Sequence, residues 1–218
     1  MRRNFLLPVA ALLFAFPNFA LAQANSGPKP ESIGAPAATL AAPIRKVLEP
    51  RGCRVPTPDG PVDLWLRAEV PTGKNPETGV IYDKLAPSTL VGVITFAKDS
   101  KDYKGQRIAA GTYTMRYEVQ PDNGDHLGTA PTRDFVLLVP ASSDPDPNAI
   151  YDSDKLVALS KVGSGTKHPL PLNLLSPESK SLPAVYSDQE GHTIFAASLR
   201  TAAGQMPIAI VVNGTAAQ

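Results

Sequence analysis

Prolines punctuate this chain from end to end. There are 23 in 218 residues, about twice the usual share of about 5%. Each one removes a backbone donor and clashes with the preceding helical turn, so long helices are excluded. Short strands joined by turns are what such a sequence can build. Alternation with period two agrees. Residues 112–120 place Tyr113, Met115, Tyr117 and Val119 on one face and Thr114, Arg116, Glu118 and Gln120 on the other, which predicts a half-buried strand. Residues 62–68 place Val62, Leu64, Leu66 and Ala68 opposite Asp63, Trp65 and Arg67. Residues 90–96 and 134–139 are apolar on both faces and suit central strands, with 194–199 and 208–212 similar. Weaker strand signals lie at 80–82, 170–174 and 184–186.

The first 22 residues read differently. Arg2 and Arg3 precede an apolar run, residues 5–19, and then Ala20-Leu21-Ala22. A positive start, an apolar core and a small-x-small ending make the layout of a secretory signal peptide. The apolar run, broken by Pro8 and Pro17, is short for a bilayer span of about 20 residues. An uncleaved anchor is the alternative. Cleavage after Ala22 would remove both arginines, leaving 19 basic against 20 acidic residues and a net charge of −1. That balance gives no footprint for nucleic acid and little pull toward anionic membranes. The expected location is outside the cytoplasm, periplasmic or extracellular, with no membrane span after cleavage. Cys53 is the single cysteine, so no internal disulfide or thiolate cluster can form. It is expected buried and inert, with an intermolecular bridge as the sharper alternative.

Residues 23–43 are rich in Ala, Pro, Ser and Gly and carry only Lys29 and Glu31 as charges. They read as a flexible lead-in, which leaves residues 44–218 as one domain of ordinary size. One helix is expected near 152–162. Asp152 or Ser153 can cap it, Asp154 sits in its first turn, Leu156, Val157 and Leu159 supply its apolar side, and Gly163 follows Lys161. A lone short helix among many strands does not make βαβ units. The predicted class is therefore all-β and mostly antiparallel, as a two-sheet β-sandwich.

The stretch Arg107-Ile108-Ala109-Ala110-Gly111-Thr112-Tyr113-Thr114-Met115-Arg116-Tyr117 resembles the strand start of transthyretin-like and carboxypeptidase-regulatory-like modules. There the glycine makes a tight approach and the tyrosine turns inward. A longer pattern resembles an uncharacterised group of exported bacterial proteins. It comprises Gly111–Thr114, Arg116-Tyr117, Gln120-Pro121, Gly124-Asp125-His126, Gly128, Arg133-Asp134-Phe135 and Pro140-Ala141, with Ser160 and His168-Pro169. The resemblance covers about residues 44–175. It implies export and a β-sandwich fold and transfers no catalytic residue.

For function, the segment 121–131 is the candidate. It gathers Asp122, Asn123, Asp125 and His126 within five residues, and loops on a rigid scaffold are where binding residues concentrate. Asp122, Asp125 and His126 are the expected ligand-binding residues. The competing structural reading is turn chemistry, in which Asp and Asn bond their own backbone. The segment lacks the oxygen spacing and distal Glu of an EF-hand. A metal site using Asp125, His126 and His168, with His192 as a fourth group, is the alternative function, although the three histidines show no ligand spacing. The signatures of hydrolases, phosphate loops and dinucleotide-binding folds are missing. The chain is accordingly read as a non-enzymatic module without a cofactor. It would bind a protein, glycan or envelope component through segment 121–131, and its edge strands could recruit an extended peptide. Trp65 is open to two readings, a sugar-stacking platform or a core residue. Arg133 and Asp134 are expected to pair elsewhere, for example with Arg116 or Glu118, as structural ion pairs. Asp144-Pro145-Asp146-Pro147 reads as a stiff, solvated connection to the helix.

Overall fold

The computed structural model describes residues 29–122, 130–179 and 181–215. The segment expected as signal peptide lies outside them. The elements run β1 (Glu31–Ile33), α1 (Ala42–Val47), β2 (Gly52–Val55), β3 (Val62–Leu66), β4 (Leu90–Phe96), β5 (Ser100–Lys101), β6 (Arg107–Ile108), β7 (Gly111–Val119), β8 (Asp134–Pro140), α2 (Ser153–Ser164), β9 (Pro171–Leu175), β10 (Ala184–Ser187), β11 (Thr193–Thr201) and β12 (Gly204–Asn213). Ten strands form one sheet in the order β1-β2-β3-β4-β7-β8-β9-β12-β11-β10, and β5 with β6 makes a separate hairpin. The paired strands are antiparallel, so the all-β class holds. Among the described residues, no helix is long and apolar enough to cross a membrane.

The sheet is continuous and curls on itself rather than parting into two. Its joint is β9, which pairs with β8 through Asn173, Leu172 and Pro171 and with β12 through only Leu174 and Leu175. Where that second ladder stops, Tyr82 fills in. Its hydroxyl donates to the Leu175 carbonyl and accepts from the Ala209 amide. The curl brings β2 and β3 opposite β11. Cys53, Leu64 and Leu66 line one side of a groove of about 280 Å³, with Phe195 and Ala197 on the other. Inside the curl one apolar cluster joins Val55, Val62, Ile94, Met115, Tyr117, Leu138, Leu172, Phe195 and Ile210.

The strand expected to be half-buried is buried on both faces. Tyr113, Met115, Tyr117 and Val119 enter the core as their spacing predicts, but Thr114, Arg116 and Glu118 are buried too. For Thr114 and Arg116 the cause is the run 144–151, which folds over the outer face. Arg116 and Asp144 form an ion pair at 2.7 Å with both side chains wholly buried. The reading of Asp144-Pro145-Asp146-Pro147 as a solvated connection is thereby corrected: prolines stiffen it, and a carboxylate at its start anchors it. Arg67 grips the same run, donating to the Pro147 carbonyl and the Asn148 side chain. Arg133 pairs with Glu77, not with β7. Asp134 accepts the Tyr117 hydroxyl and the amides of Ile81 and Tyr82. Residues 80–82, expected as a strand, are held in an irregular path by that carboxylate.

Two helices cover further parts of the outer face, α2 over β8 and α1 over β3 and β4. For α2, Asp152 accepts from the Lys155 amide and Gly165 closes the far end in the left-handed conformation, while Leu156 packs on Leu137 and Val139. A second helix, α1, was not expected. It begins with Pro43 in its first turn, and it buries Ile44 with Leu40 and Leu48 against Trp65, Leu90 and Val93. Trp65 is therefore a core residue and not a sugar platform; its Nε1 donates to the Gly34 carbonyl at 2.8 Å. The lead-in expectation fails from residue 31 on, because β1 pairs with β2 and Leu40 is buried. Average composition hid two apolar anchors, Ile33 and Leu40, in a proline-rich stretch. Gly52 permits this edge: a Cβ there would stand 2.6 Å from both the Leu64 carbonyl oxygen and the Trp65 Nε1.

Candidate functional site

The segment 121–131 leaves β7 after Val119 and returns at Asp134. Asp122 is exposed, and Asp125 and His126 lie outside the described residues. His168 is exposed in the connection from α2 to β9, where its amide donates to Thr166 Oγ1. The register sets the distance between these places. Val119 sits opposite Asp134, whereas Tyr113 sits opposite Pro140, and Leu170 follows β8 toward that second end. His168 and Asp122 thus leave opposite ends of the strands, about 20 Å apart at a rise of about 3.3 Å per residue. Among the described residues, no group of three or more His, Cys, Asp or Glu side chains is placed to hold a metal. Ser160, near His168 in sequence, is buried and accepts the Leu170 amide, a structural role.

The segment's other end points to a cleft that sequence reasoning missed. Pro131 lines it, with Tyr103, Leu175, Ser176, Glu178, Tyr186, Asp188 and Glu190 among its neighbours. Its volume is about 570 Å³, within the range of small-ligand sites. The cleft lies on the outer face of β9, β12, β11 and β10. Beneath it Ile194, Ala196, Ala209 and Val211 form a buried apolar layer that Tyr103, Leu175 and Tyr186 extend outward.

Local structure fixes each wall. Asp188 ends β10 and builds the turn to β11. Its Oδ1 accepts the amides of Glu190 and His192, and its Oδ2 stands 2.7 Å from His192 Nδ1. Gly191 supplies the positive φ of +83° that the reversal needs. His192 is buried, and the ring of Tyr103 lies over it, centroid to centroid 4.3 Å. Tyr103 is carried by the turn between β5 and β6. There Asp102, itself buried, accepts the amides of Lys104 and Gln106. The hairpin is tied to the end of β12 by Asn213 donating to Ser100 and by the Gly214 amide donating to the Lys101 carbonyl. Tyr186 stands on β10, and its hydroxyl accepts the Glu178 amide.

The cleft carries negative charge. Glu178, Asp188 and Glu190 line it, and no Lys or Arg does among the described residues. The tyrosine hydroxyls register this field. Burial first, and then Glu190 and Asp188, push the Tyr103 hydroxyl up. Burial, with Glu178 and Asp188 adding, does the same for Tyr186. Both therefore stay protonated donors over the working range of pH. Three features follow chemically: an apolar floor, two fixed aromatic faces, and acceptors around the rim. The one short-range signal in the sequence was Asp188-Gln189-Glu190-Gly191-His192 between two β runs; the pairing with Tyr103, 89 positions away from His192, is non-local.

Comparison with protein-family models, with curated proteins and with solved structures found no match.

Proposed function

We propose that this protein is an exported, non-enzymatic binding module with two β layers in the manner of a sandwich. Its binding end would be the one where segment 121–131 rejoins the fold. The partner class is a protein, a glycan or another envelope component. The observation that carries the reading is the cleft of about 570 Å³ bounded by Pro131 at the end of that segment and by the rings of Tyr103 and Tyr186. Its walls are fixed by hydrogen bonds, which suits recognition. The resemblance to exported β-sandwich proteins and the leader-like start of the chain support export.

The test uses ¹⁵N-labelled protein beginning at Gln23, titrated with a panel of neutral oligosaccharides, basic and acidic peptides, and soluble peptidoglycan fragments. The reading expects one class to shift amide signals at residues 130, 175, 176, 178 and 186–190 together. A panel that leaves those signals still, or shifts them no more than the rest of the sheet, overturns it. Mass spectrometry of the protein secreted by an expression host should give Gln23 as the first residue.

A further inference from the structure

We propose that the groove between β2 and β11 captures the carboxy-terminal end of an extended peptide whose last residue is apolar. The site is separate from the Tyr103–Tyr186 cleft. Three features of different kinds meet there: free backbone groups, an opening into the core, and an unpaired cation.

The Val70 amide donates to the Arg200 carbonyl, so the Arg200 backbone faces away from β12. Successive residues of an antiparallel strand direct their backbone groups to alternate sides, so Ser198 faces the same way as Arg200. On that side β10 reaches only as far as Ala184, opposite Ala196. The residue before it is Pro183, which has no N–H to offer. The Ser198 amide and carbonyl therefore pair with no backbone group among the described residues, and the residue is exposed. A free donor and acceptor on a strand edge match another extended backbone. The gap is short. Val70 stops it at one end and Pro183 at the other, so a chain end fits where a through-going strand does not.

Beside this edge the core is open. Leu64, Phe195 and Ala197 are buried in the main apolar cluster, but Cys53 and Leu66, which share the groove with them, are only partly covered. The space is about 280 Å³, just under the range of about 300–1,000 Å³ for small-molecule sites. It suits one or two apolar side chains. Charge selects which end of a chain enters. The charged residues that line the groove are Glu49 and Arg51. Glu49 stands 3.6 Å from Arg200, so its charge is answered. Arg51 is exposed and makes no ion pair among the described residues. The cation left over matches a terminal carboxylate and repels an amino terminus.

The test is a selection on the secreted protein from a random heptapeptide library displayed with free carboxyl termini. It should enrich sequences ending in Val, Leu, Ile or Phe. The most enriched peptide, synthesised, should shift amide signals at residues 51–53, 64–66 and 195–198 and slow the alkylation of Cys53 at saturation. Capping that peptide as its amide, or Arg51→Gln, removes the charge contact, and each should weaken binding about tenfold. Ser198→Pro removes the edge N–H and leaves the β12 ladder intact, because Ser198 lies opposite Pro207; it should weaken binding by a similar factor. Where Ser198→Pro lowers the melting temperature, the amide and Arg51→Gln, which changes an exposed side chain, still decide. A selection that enriches no carboxy-terminal sequence overturns the proposal. So does a peptide that binds equally well as its amide, or equally well to Arg51→Gln. Shifts that fall at residues 186–190 and leave the groove still assign the peptide to the cleft and also overturn it.

Discussion

Removing the carboxylate of Asp144 should be among the most damaging single changes in this protein. Arg116 spends all five N–H donors in a wholly buried place. Nε and Nη2 meet the two Asp144 oxygens at 2.7 Å each. Nη2 also reaches the Asp146 carbonyl, and Nη1 takes the carbonyls of Ser88 and Ala149. Asp144 in turn accepts the hydroxyls of Thr114 and Tyr151, and the Tyr151 ring lies 4.9 Å from the guanidinium carbon. Asp144→Ala leaves a buried guanidinium facing carbonyls alone. Breaking one side of such a pair costs about 3–5 kcal/mol, a large part of a total stability of about 5–15 kcal/mol. An exposed pair would cost at most about 1 kcal/mol. Arg116→Met should cost a similar amount, because three carbonyls lose their donor and the carboxylate loses its cation. The double variant Arg116→Met/Asp144→Leu should then cost less than the two singles together by about 0.5–3 kcal/mol. Urea unfolding followed by Trp65 emission and by far-ultraviolet circular dichroism measures all three, with coincident curves required for a two-state treatment. A loss below about 1 kcal/mol for Asp144→Ala, or strict additivity, would refute the claim that this pair fastens the 144–151 run.

Three further outcomes are expected. Glu118 is buried with Oε2 unpartnered. Burial raises its pKa, the Val119 amide lowers it, and Glu77 raises it again, for a net rise. A raised carboxyl pKa favours folding below the unfolded value of about 4.3 and loses that contribution as pH climbs through the folded value. Glu118→Gln should therefore raise the melting temperature at pH 7, by roughly 2–4 °C if it recovers about 1 kcal/mol, with the gain shrinking at pH 4; a gain that grows on acidification contradicts the sign. Burial also raises the pKa of the Cys53 thiol, so alkylation by iodoacetamide at pH 8 should run several-fold slower than for a short cysteine peptide and match it in 6 M guanidinium, whereas peptide-like reactivity in the folded state speaks against the groove geometry. Trp65 is the single tryptophan, and a chain starting at residue 37 loses both β1 and the Gly34 carbonyl; its emission should shift to the red and iodide quenching should rise, while unchanged spectra would mean that residues 29–36 do not cover the ring.

Strand positions were legible wherever the signal was local and repeated. The alternation of 112–120 and the apolar runs at 90–96 and 134–139 correspond to β7, β4 and β8; Asp152 caps α2 as expected, whereas Gly163, expected just past its end, lies inside it and Gly165 closes it. What covers those strands was not legible, because coverage is a long-range property. Arg116 reads as the solvent side of a strand until a carboxylate 28 positions on is folded over it. Residues 29–43 read as lead-in by average composition, yet two apolar side chains suffice when a Trp and a helix wait to receive them. The same logic hid the cleft. His126 stood out because it is crowded by polar neighbours in sequence, whereas Tyr103, Tyr186 and His192 lie on a hairpin turn, on β10 and just before β11, and converge only when β5 is tied to β12 and β10 is folded onto β11. The curl of the sheet is the step that makes one end of the molecule into a site. By joining β8 to β12 through a short β9, it sets the return of segment 121–131 beside the turn of Asp188. A change that lengthened the β9–β12 ladder, displacing the Tyr82 hydroxyl from between them, should flatten that end and disperse the cleft without removing any residue that lines it.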